Sequence, residues 1–300
     1  MTGRSVLKCS YLLSSVIWLG ISNRANRMSN TAKVIFMSKQ IDYELHLKEL
    51  DSQGYTVIPD VLGKEQCHKL GQRLDEIYTE FEKSGKSHPG IDPAQERVIF
   101  NLHNKDHMFL ELIDHEAVLP IITKKMDKTV ILNYYNARDP KAGAKPQRLH
   151  LDSRVSTPHE TIMMQFIWMV DDFTLENGAT RFVPGSHDFG KHPDPSITYP
   201  EEKAITGRAG SILCYNSSLW HGSSAVSSQS KGRRWGIIAT YTRWFLKQSM
   251  DFTKNTPESM YEKLTDRQKQ LIGFNSIPPH NEFERIYTVT PVESLPKKWI

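Results

Sequence analysis

The chain has 300 residues, enough for one large domain, with 38 basic and 34 acidic residues. Six of the basic residues fall within residues 1–40, which contain no acidic residue, so the rest of the chain carries 32 basic against 34 acidic residues. The positive net charge therefore belongs to the N-terminal segment and is no argument for a nucleic-acid partner, so none is predicted. Three cysteines without a CxxC spacing provide no disulfide framework and favour a reducing compartment.

Residues 1–40 form a basic leader that we exclude from the fold. The apolar run at 11–21 is too short to span a bilayer, so no membrane span is predicted. The run has the length of a signal-peptide core, and its basic surroundings also resemble a mitochondrial transit peptide. A start at Met28 or Met37 is the third alternative. We expect a disordered leader or an incorrectly assigned start over 1–40, a single domain over 41–300 and a cytoplasmic location, with an organellar one if the leader is real.

The first third of the domain has mostly helical patterns. We predict a helix at 42–52 that is stopped by Gly54, a strand at 55–58, a helix at 63–81, an exposed loop at 83–92 and a helix at 108–126.

From residue 129 onward the pattern changes to short segments rich in β-branched and aromatic residues. The predicted strands are 129–135, 149–152, 161–170, 180–183, 210–215 and 234–245, followed by a helix at 257–272 and an irregular tail. Strands after a helical N-terminal part indicate a mainly β fold with flanking helices. We expect a double-stranded β-helix, a jelly-roll or cupin-like barrel, buttressed by the N-terminal helices.

Metal-binding residue types occur at a spacing that suits a strand. His150 and Asp152 are two residues apart, so a regular strand would place both side chains on one face. His221, from a distant segment, would complete the facial triad of two histidines and one carboxylate that non-haem Fe(II) oxygenases use. A second HxD pair, His192 and Asp194, contains a proline and has another beside it, so we assign it to a loop.

Two arginines follow His221 at the distance expected for a carboxylate-binding group. Arg233 and Arg234 are adjacent, and a guanidinium is a fixed, always-charged fork for a carboxylate cosubstrate. Simple spacing from His221 favours Arg233.

Four segments together resemble the phytanoyl-CoA dioxygenase family. They are RLHLDS at 148–153, MQFIWMVDDFTLENGATRFVPGSH at 164–187, GSILCYNSSLWHGSS at 210–224 and RRWGIIATY at 233–241. The resemblance covers about residues 45–250 with the motifs in the family order. It implies that His150, Asp152 and His221 are iron ligands, which are also the catalytic residues.

The resemblance also assigns residues to 2-oxoglutarate. Ser223 matches a serine that helps to hold this cosubstrate, and alignment of RWGIIATY selects Arg234 over Arg233. Asn133 occupies a position where relatives often place a glutamine that contacts 2-oxoglutarate. Ile167 departs from the family, because several relatives have a tryptophan in the pocket wall at this position.

The activity that this resemblance implies is Fe(II)- and 2-oxoglutarate-dependent dioxygenation. With O2 as the second cosubstrate, the enzyme would hydroxylate an aliphatic C–H of a small molecule and release succinate and CO2. Retention of Asp152 favours hydroxylation over halogenation. Two alternatives stay open, a cupin-like metalloenzyme that does not use 2-oxoglutarate and a non-enzymatic jelly-roll binding protein. Neither the substrate nor the oligomeric state follows from the sequence.

Overall fold

The computed structural model describes residues 41–277, and the predicted leader over 1–40 and most of the predicted tail lie outside the described residues. In chain order, the helices are α1 (Tyr43–Gln53), α2 (Lys64–Lys83), α3 (His107–Ile113), α4 (Leu119–Lys125), α5 (Phe252–Asn255), α6 (Glu258–Tyr261) and α7 (Asp266–Ile272). The strands are β1 (Tyr55–Ile58), β2 (Glu96–Phe100), β3 (Ile131–Pro140), β4 (Met163–Met169), β5 (Thr180–Phe182), β6 (Lys203–Ile205), β7 (Ile212–Asn216), β8 (His221–Ser223) and β9 (Gly236–Thr242).

The strands form two antiparallel sheets. The larger has the order β1-β7-β4-β9-β3-β2, and the smaller has the order β6-β5-β8. Residues of both sheets line one cavity between them. The mainly β architecture with flanking helices is confirmed, although within residues 41–277 the sheets do not close into a continuous barrel.

The larger sheet presents two different faces, because side chains alternate along each strand. In β4, Phe166 and Trp168 join the core formed with the helices, whereas Gln165 and Ile167 point to the cavity side. Tyr241 of β9 ties the first face to the helices through a hydrogen bond from its hydroxyl to Ile113 O, 2.7 Å long. The second face is therefore the one available for a site. No helix in the described part of the chain is long and apolar enough to cross a membrane.

Two predicted helices are each divided in the structure. The helix predicted at 108–126 is α3 and α4, because Pro120 lacks an N–H and is accommodated only in the first turn of a new helix. The helix predicted at 257–272 is α6 and α7. Thr265 starts α7 with a capping box, in which its hydroxyl and the Gln268 side chain bond each other's backbone N–H.

The segment predicted as a strand at 149–152 is not a regular strand. Only His150 pairs, in an isolated antiparallel bridge with His221. Asp152 and Ser153 donate instead to Ser217 O, and Arg154 then adopts a left-handed conformation with φ 60°. The chain therefore leaves the sheet within two residues of His150. The short strands β2, β6 and β8 were not predicted from the sequence.

Candidate functional site

His150, Asp152 and His221 come together at the edge of the smaller sheet. His221 begins β8, and its backbone exchanges two hydrogen bonds with His150, each 2.9 Å long. The hydrogen bond from Asp152 N to Ser217 O, also 2.9 Å, turns the carboxylate toward the two imidazoles. One ligand atom from each residue can be chosen so that all three lie within 4.8 Å of one another.

The two imidazole rings are oriented by the same kind of contact, between Nδ1 and a backbone carbonyl two residues earlier in the chain. Nδ1 of His150 lies 2.9 Å from Arg148 O, and Nδ1 of His221 lies 2.9 Å from Leu219 O. Because a carbonyl can only accept, each Nδ1 must carry a proton, so Nε2 is the ring nitrogen that can bind a metal once it has no proton of its own. Nε2 of His150 is 3.5 Å from Asp152 Oδ1, and Nε2 of His221 is 3.0 Å from Asp152 Oδ2.

The carboxylate is held in its charged form. Burial would raise the pKa of Asp152, but the charge of His221 and hydrogen bonds with both histidines hold it well below its ordinary value. Burial likewise opposes protonation of His150, and the hydrogen bond and charge of Asp152 outweigh it and raise the pKa of His150. Two imidazole nitrogens and a carboxylate on one side of a common point are a donor set that suits Fe(II).

The three residues open onto a cavity of about 440 Å³. Its wall consists of the free face of the larger sheet, one edge of the smaller sheet and the loop that carries Asp152. Its lining side chains include Glu96, Asn133, Tyr134, Asn136, Arg138, Gln147, Arg154, Met163, Gln165, Ile167, Thr180, Tyr215, Ser223, Arg234, Ile238, Thr240 and Ser249. Metal-ligating and cosubstrate-binding candidates thus share one enclosure.

Arg234 lies in the wall of this cavity. The side chain is buried, Nη2 donates to Gly178 O at 2.8 Å, and the guanidinium carbon stands 3.5 Å from the centre of the Phe173 ring. Its Nε has no hydrogen-bond partner among residues 41–277, and no carboxylate of that region forms an ion pair with the guanidinium. Burial lowers the pKa of Arg234 to about 9, so the group is still charged at neutral pH.

Arg233 is held on the opposite side by ion pairs. Nε donates to Asp171 at 3.1 Å, and Nη1 donates to Asp75 at 2.7 Å. Trp235 is anchored to the same two carboxylates, through its backbone N–H to Asp171 and its indole N–H to Asp75. Because both neighbours of Arg234 are fixed outward in this way, Arg234 is left facing the cavity.

The two remaining predicted residues differ in how far their polar atoms are engaged. Ser223 lines the cavity, and its backbone N–H donates to Gln147 Oε1 at 3.2 Å. Asn133 also lines the cavity, but its Nδ2 donates to Lys247 O and its Oδ1 accepts from Ser249. The amide of Asn133 is therefore already paired. Oδ1 of the nearby Asn136 is buried without a partner among the described residues.

His187 and Trp220, which lie in the segments 164–187 and 210–224, do not line the cavity. The His187 ring packs beside Gly54 and Leu219, and Trp220 is buried with its indole N–H donated to Lys191 O. The second HxD pair, which includes Asp194, lies in a loop outside every strand. Of the two arginines that flank the triad pair, Arg154 lines the cavity, whereas Arg148 does not appear among its lining residues.

Gln165 is a site residue that was not predicted from the sequence. This buried side chain donates from Nε2 to Oδ2 of Asp152 and accepts at Oε1 from the hydroxyl of Thr240, 3.1 Å away. The feature of the sequence that could have identified it is a single amide side chain within the otherwise apolar strand MMQFIWM. A buried amide in such a strand must find partners, which makes it a candidate for a polar site.

Comparison with known proteins gives concordant matches. The profile of the phytanoyl-CoA dioxygenase family matches residues 50–235. The dioxygenase af480 of Aspergillus fumigatus is 25% identical over 247 residues, covering 79% of this chain and 77% of its own length. The dioxygenase cdmA of Talaromyces verruculosus is 30% identical over 247 residues, covering 76% and 81%. HygX of Streptomyces hygroscopicus, solved with nickel and 2-oxoglutarate bound, superposes with a TM-score of 0.55 at 18% identity, covering 68% and 88%.

Proposed function

Because this chain belongs to the phytanoyl-CoA dioxygenase family, we propose that it hydroxylates an aliphatic C–H bond of a small molecule and releases succinate and CO2. Its class is that of the Fe(II)- and 2-oxoglutarate-dependent dioxygenases. The observation that carries the proposal is the joint presence, in one cavity, of the triad and of a buried arginine without a carboxylate partner in the described region.

We assign the metal to His150, Asp152 and His221. Their donor set fits Fe(II), and the carbonyl contacts at both Nδ1 atoms leave Nε2 of each histidine for coordination. When bound, the iron supplies the dioxygen activation and oxidation that amino-acid side chains cannot perform. The protein's own part is to hold three ligands on one side, so that the remaining positions face the cavity.

We assign the cosubstrate to the part of the cavity next to Arg234. Its guanidinium would bind the distal carboxylate of 2-oxoglutarate through charge-assisted hydrogen bonds, and the Phe173 ring supports the guanidinium from below. The hydroxyl of Ser223 is the second proposed contact. Asn133 stays a prediction for the third, and the unpaired Oδ1 of Asn136 makes that residue an additional candidate.

The proposed substrate is a small molecule that occupies the rest of the cavity. Arg138 is paired there with Glu96 through two hydrogen bonds of 2.7 and 2.8 Å, so its charge is compensated.

We further propose a single domain over 41–300 and a cytoplasmic location. Cys67 and Cys214 support a reducing compartment, since both are buried and neither forms a disulfide within residues 41–277.

Succinate release tests the proposal. Purified protein is incubated with Fe(II), 2-oxoglutarate and O2, first alone and then with pooled metabolites, and succinate is quantified. We expect iron-dependent succinate that rises with one pool, is lost in Asp152→Ala and is kept in the matched control Asp194→Ala. Metabolite conversion without 2-oxoglutarate would favour the cupin-like alternative. Absence of succinate under every condition would favour the non-enzymatic binding protein.

A further inference from the structure

The carboxylate of Asp152 depends on a side chain from the sheet for its orientation. Asp152 lies in an irregular segment that leaves the smaller sheet directly after His150, and backbone pairing fixes only its N–H. The side chain that reaches its Oδ2 from the larger sheet is Gln165. This glutamine is in the middle of β4, between two neighbouring strands, and is 6% exposed.

Thr240 holds the other end of the glutamine amide. In the register of β4 and β9, Gln165 lies opposite Thr240, whose hydroxyl donates to Oε1 at 3.1 Å. The Thr240 contact occupies the acceptor end of the amide, and Asp152 can only accept, so the donor end must face the carboxylate. The result is a chain of hydrogen bonds from Thr240 through Gln165 to Asp152.

We propose that Gln165 is a positioning residue for the metal centre, with Thr240 as its support. By donating to Oδ2, the amide occupies one oxygen of Asp152 and favours coordination through the other. A neutral donor has a specific advantage here, because a lysine would compete with the metal for the carboxylate charge and a glutamate would repel it. Partners behind metal ligands fix ligand orientation and raise metal affinity. This inference rests on the proposed function.

Cobalt(II) binding to the purified apoprotein tests the inference without any substrate. Isothermal titration measures the affinity, and thermal unfolding of each apoprotein reports on folding. Gln165→Met retains the length of the side chain and removes the donor, and it should weaken Co(II) binding by about 10- to 100-fold. Thr240→Val should weaken binding in the same direction but less, because the amide stays in place and loses only its fixed orientation.

Thr242→Val is the matched control for Thr240→Val. Thr242 is on the same strand and equally buried, but its hydroxyl donates to Ile162 O and has no link to Asp152. Its Co(II) affinity should equal that of the wild type. Wild-type affinity in both Gln165→Met and Thr240→Val would overturn the positioning role, as would equal losses in Thr240→Val and Thr242→Val. If the wild type itself binds no Co(II), the metal assignment fails and this inference fails with it.

Discussion

The orientation of the site side chains is set by contacts with the backbone and with anchored neighbours. His150 and His221 each direct Nδ1 to a carbonyl two residues earlier in the chain, and this leaves Nε2 for a metal. Arg234 faces the cavity because Arg233 and Trp235 on either side are fixed to Asp75 and Asp171. At this scale the site is organised before any ligand arrives, which lowers the entropic cost of binding.

Arg234→Met should separate stability from binding. The variant removes the proposed partner of the 2-oxoglutarate carboxylate and should weaken binding by about 10- to 150-fold, which corresponds to about 1.5–3 kcal/mol. It also removes a buried charge that has no carboxylate partner among residues 41–277, so the free energy of unfolding without ligand should rise. Calorimetric titration with 2-oxoglutarate and denaturant unfolding measure the two effects.

Arg233→Met is the comparison, and it should show the opposite signature. Loss of the ion pairs with Asp75 and Asp171 should lower stability, with a much smaller effect on 2-oxoglutarate affinity.

The effect of Arg234 on stability should depend on pH, with a defined sign. Burial lowers the pKa of Arg234 from its ordinary value to about 9, so the free-energy cost of burying its charge is fully present below pH 9 and shrinks as the pH rises above it. A stability gain of Arg234→Met that grew above pH 9 would contradict this account.

Individual site residues differed in how far the sequence could predict them. The HxD spacing and the distal histidine predicted three residues that the structure brings together. The reason given for the spacing, alternation along a strand, was incomplete, since His150 and Asp152 share no regular strand. Gln165 could not be identified because its role depends on the packing of β4 against the Asp152 loop. Likewise, only the structure shows that the amide of Asn133 is already paired.

At the scale of elements, α2 carries a feature that its helical pattern does not explain. Gly71 is buried in the middle of this helix, where glycine costs about 1 kcal/mol relative to alanine. A methyl group at this position would come within 2.5 Å of Cζ of Arg233. That guanidinium cannot move aside easily, because Asp75 of the same helix and Asp171 both hold it. The absence of a side chain at Gly71 therefore lets the guanidinium of Arg233 pack directly against α2.

Gly71→Ala should consequently lower the stability despite the better helix propensity of alanine. We expect a loss of about 1–3 kcal/mol, the range for overpacking a buried contact, measured by denaturant unfolding. The double variant Gly71→Ala with Arg233→Met removes the group that the methyl would meet. The two changes should then be strongly non-additive, with Gly71→Ala neutral or stabilising in the Arg233→Met background. A simple additive result would show that the glycine has no relation to Arg233.

The order of the elements could be predicted well from periodicity, but their interruptions could not. The apolar pattern at 108–126 continues through Pro120, and only the packing of the two short helices shows where the chain turns. The strands β6 and β8 are three residues each, and both pair with β5, which lies between them. A segment this short has no periodic signal of its own.

At the scale of the whole molecule, the domain we propose does not require the leader. Asp42 caps α1 with its own side chain, and the matched family region begins at residue 50. A protein that begins at Met37 should therefore retain the melting temperature and the iron-dependent succinate release of the full chain. Differential scanning calorimetry and the succinate assay measure both. A shortened protein that does not fold would show that residues before Met37 contribute to the structure.

The proposed function requires that one cavity hold iron through His150, Asp152 and His221 and hold 2-oxoglutarate beside it. The most direct measurement is the visible absorption of the wild-type protein after anaerobic addition of Fe(II) and 2-oxoglutarate. We predict a weak charge-transfer band that needs both additions, is lost in His150→Ala, Asp152→Ala and His221→Ala, and persists in the control His192→Ala. A band that survives in the triad variants, or one that disappears in His192→Ala, would contradict this assignment of the metal site.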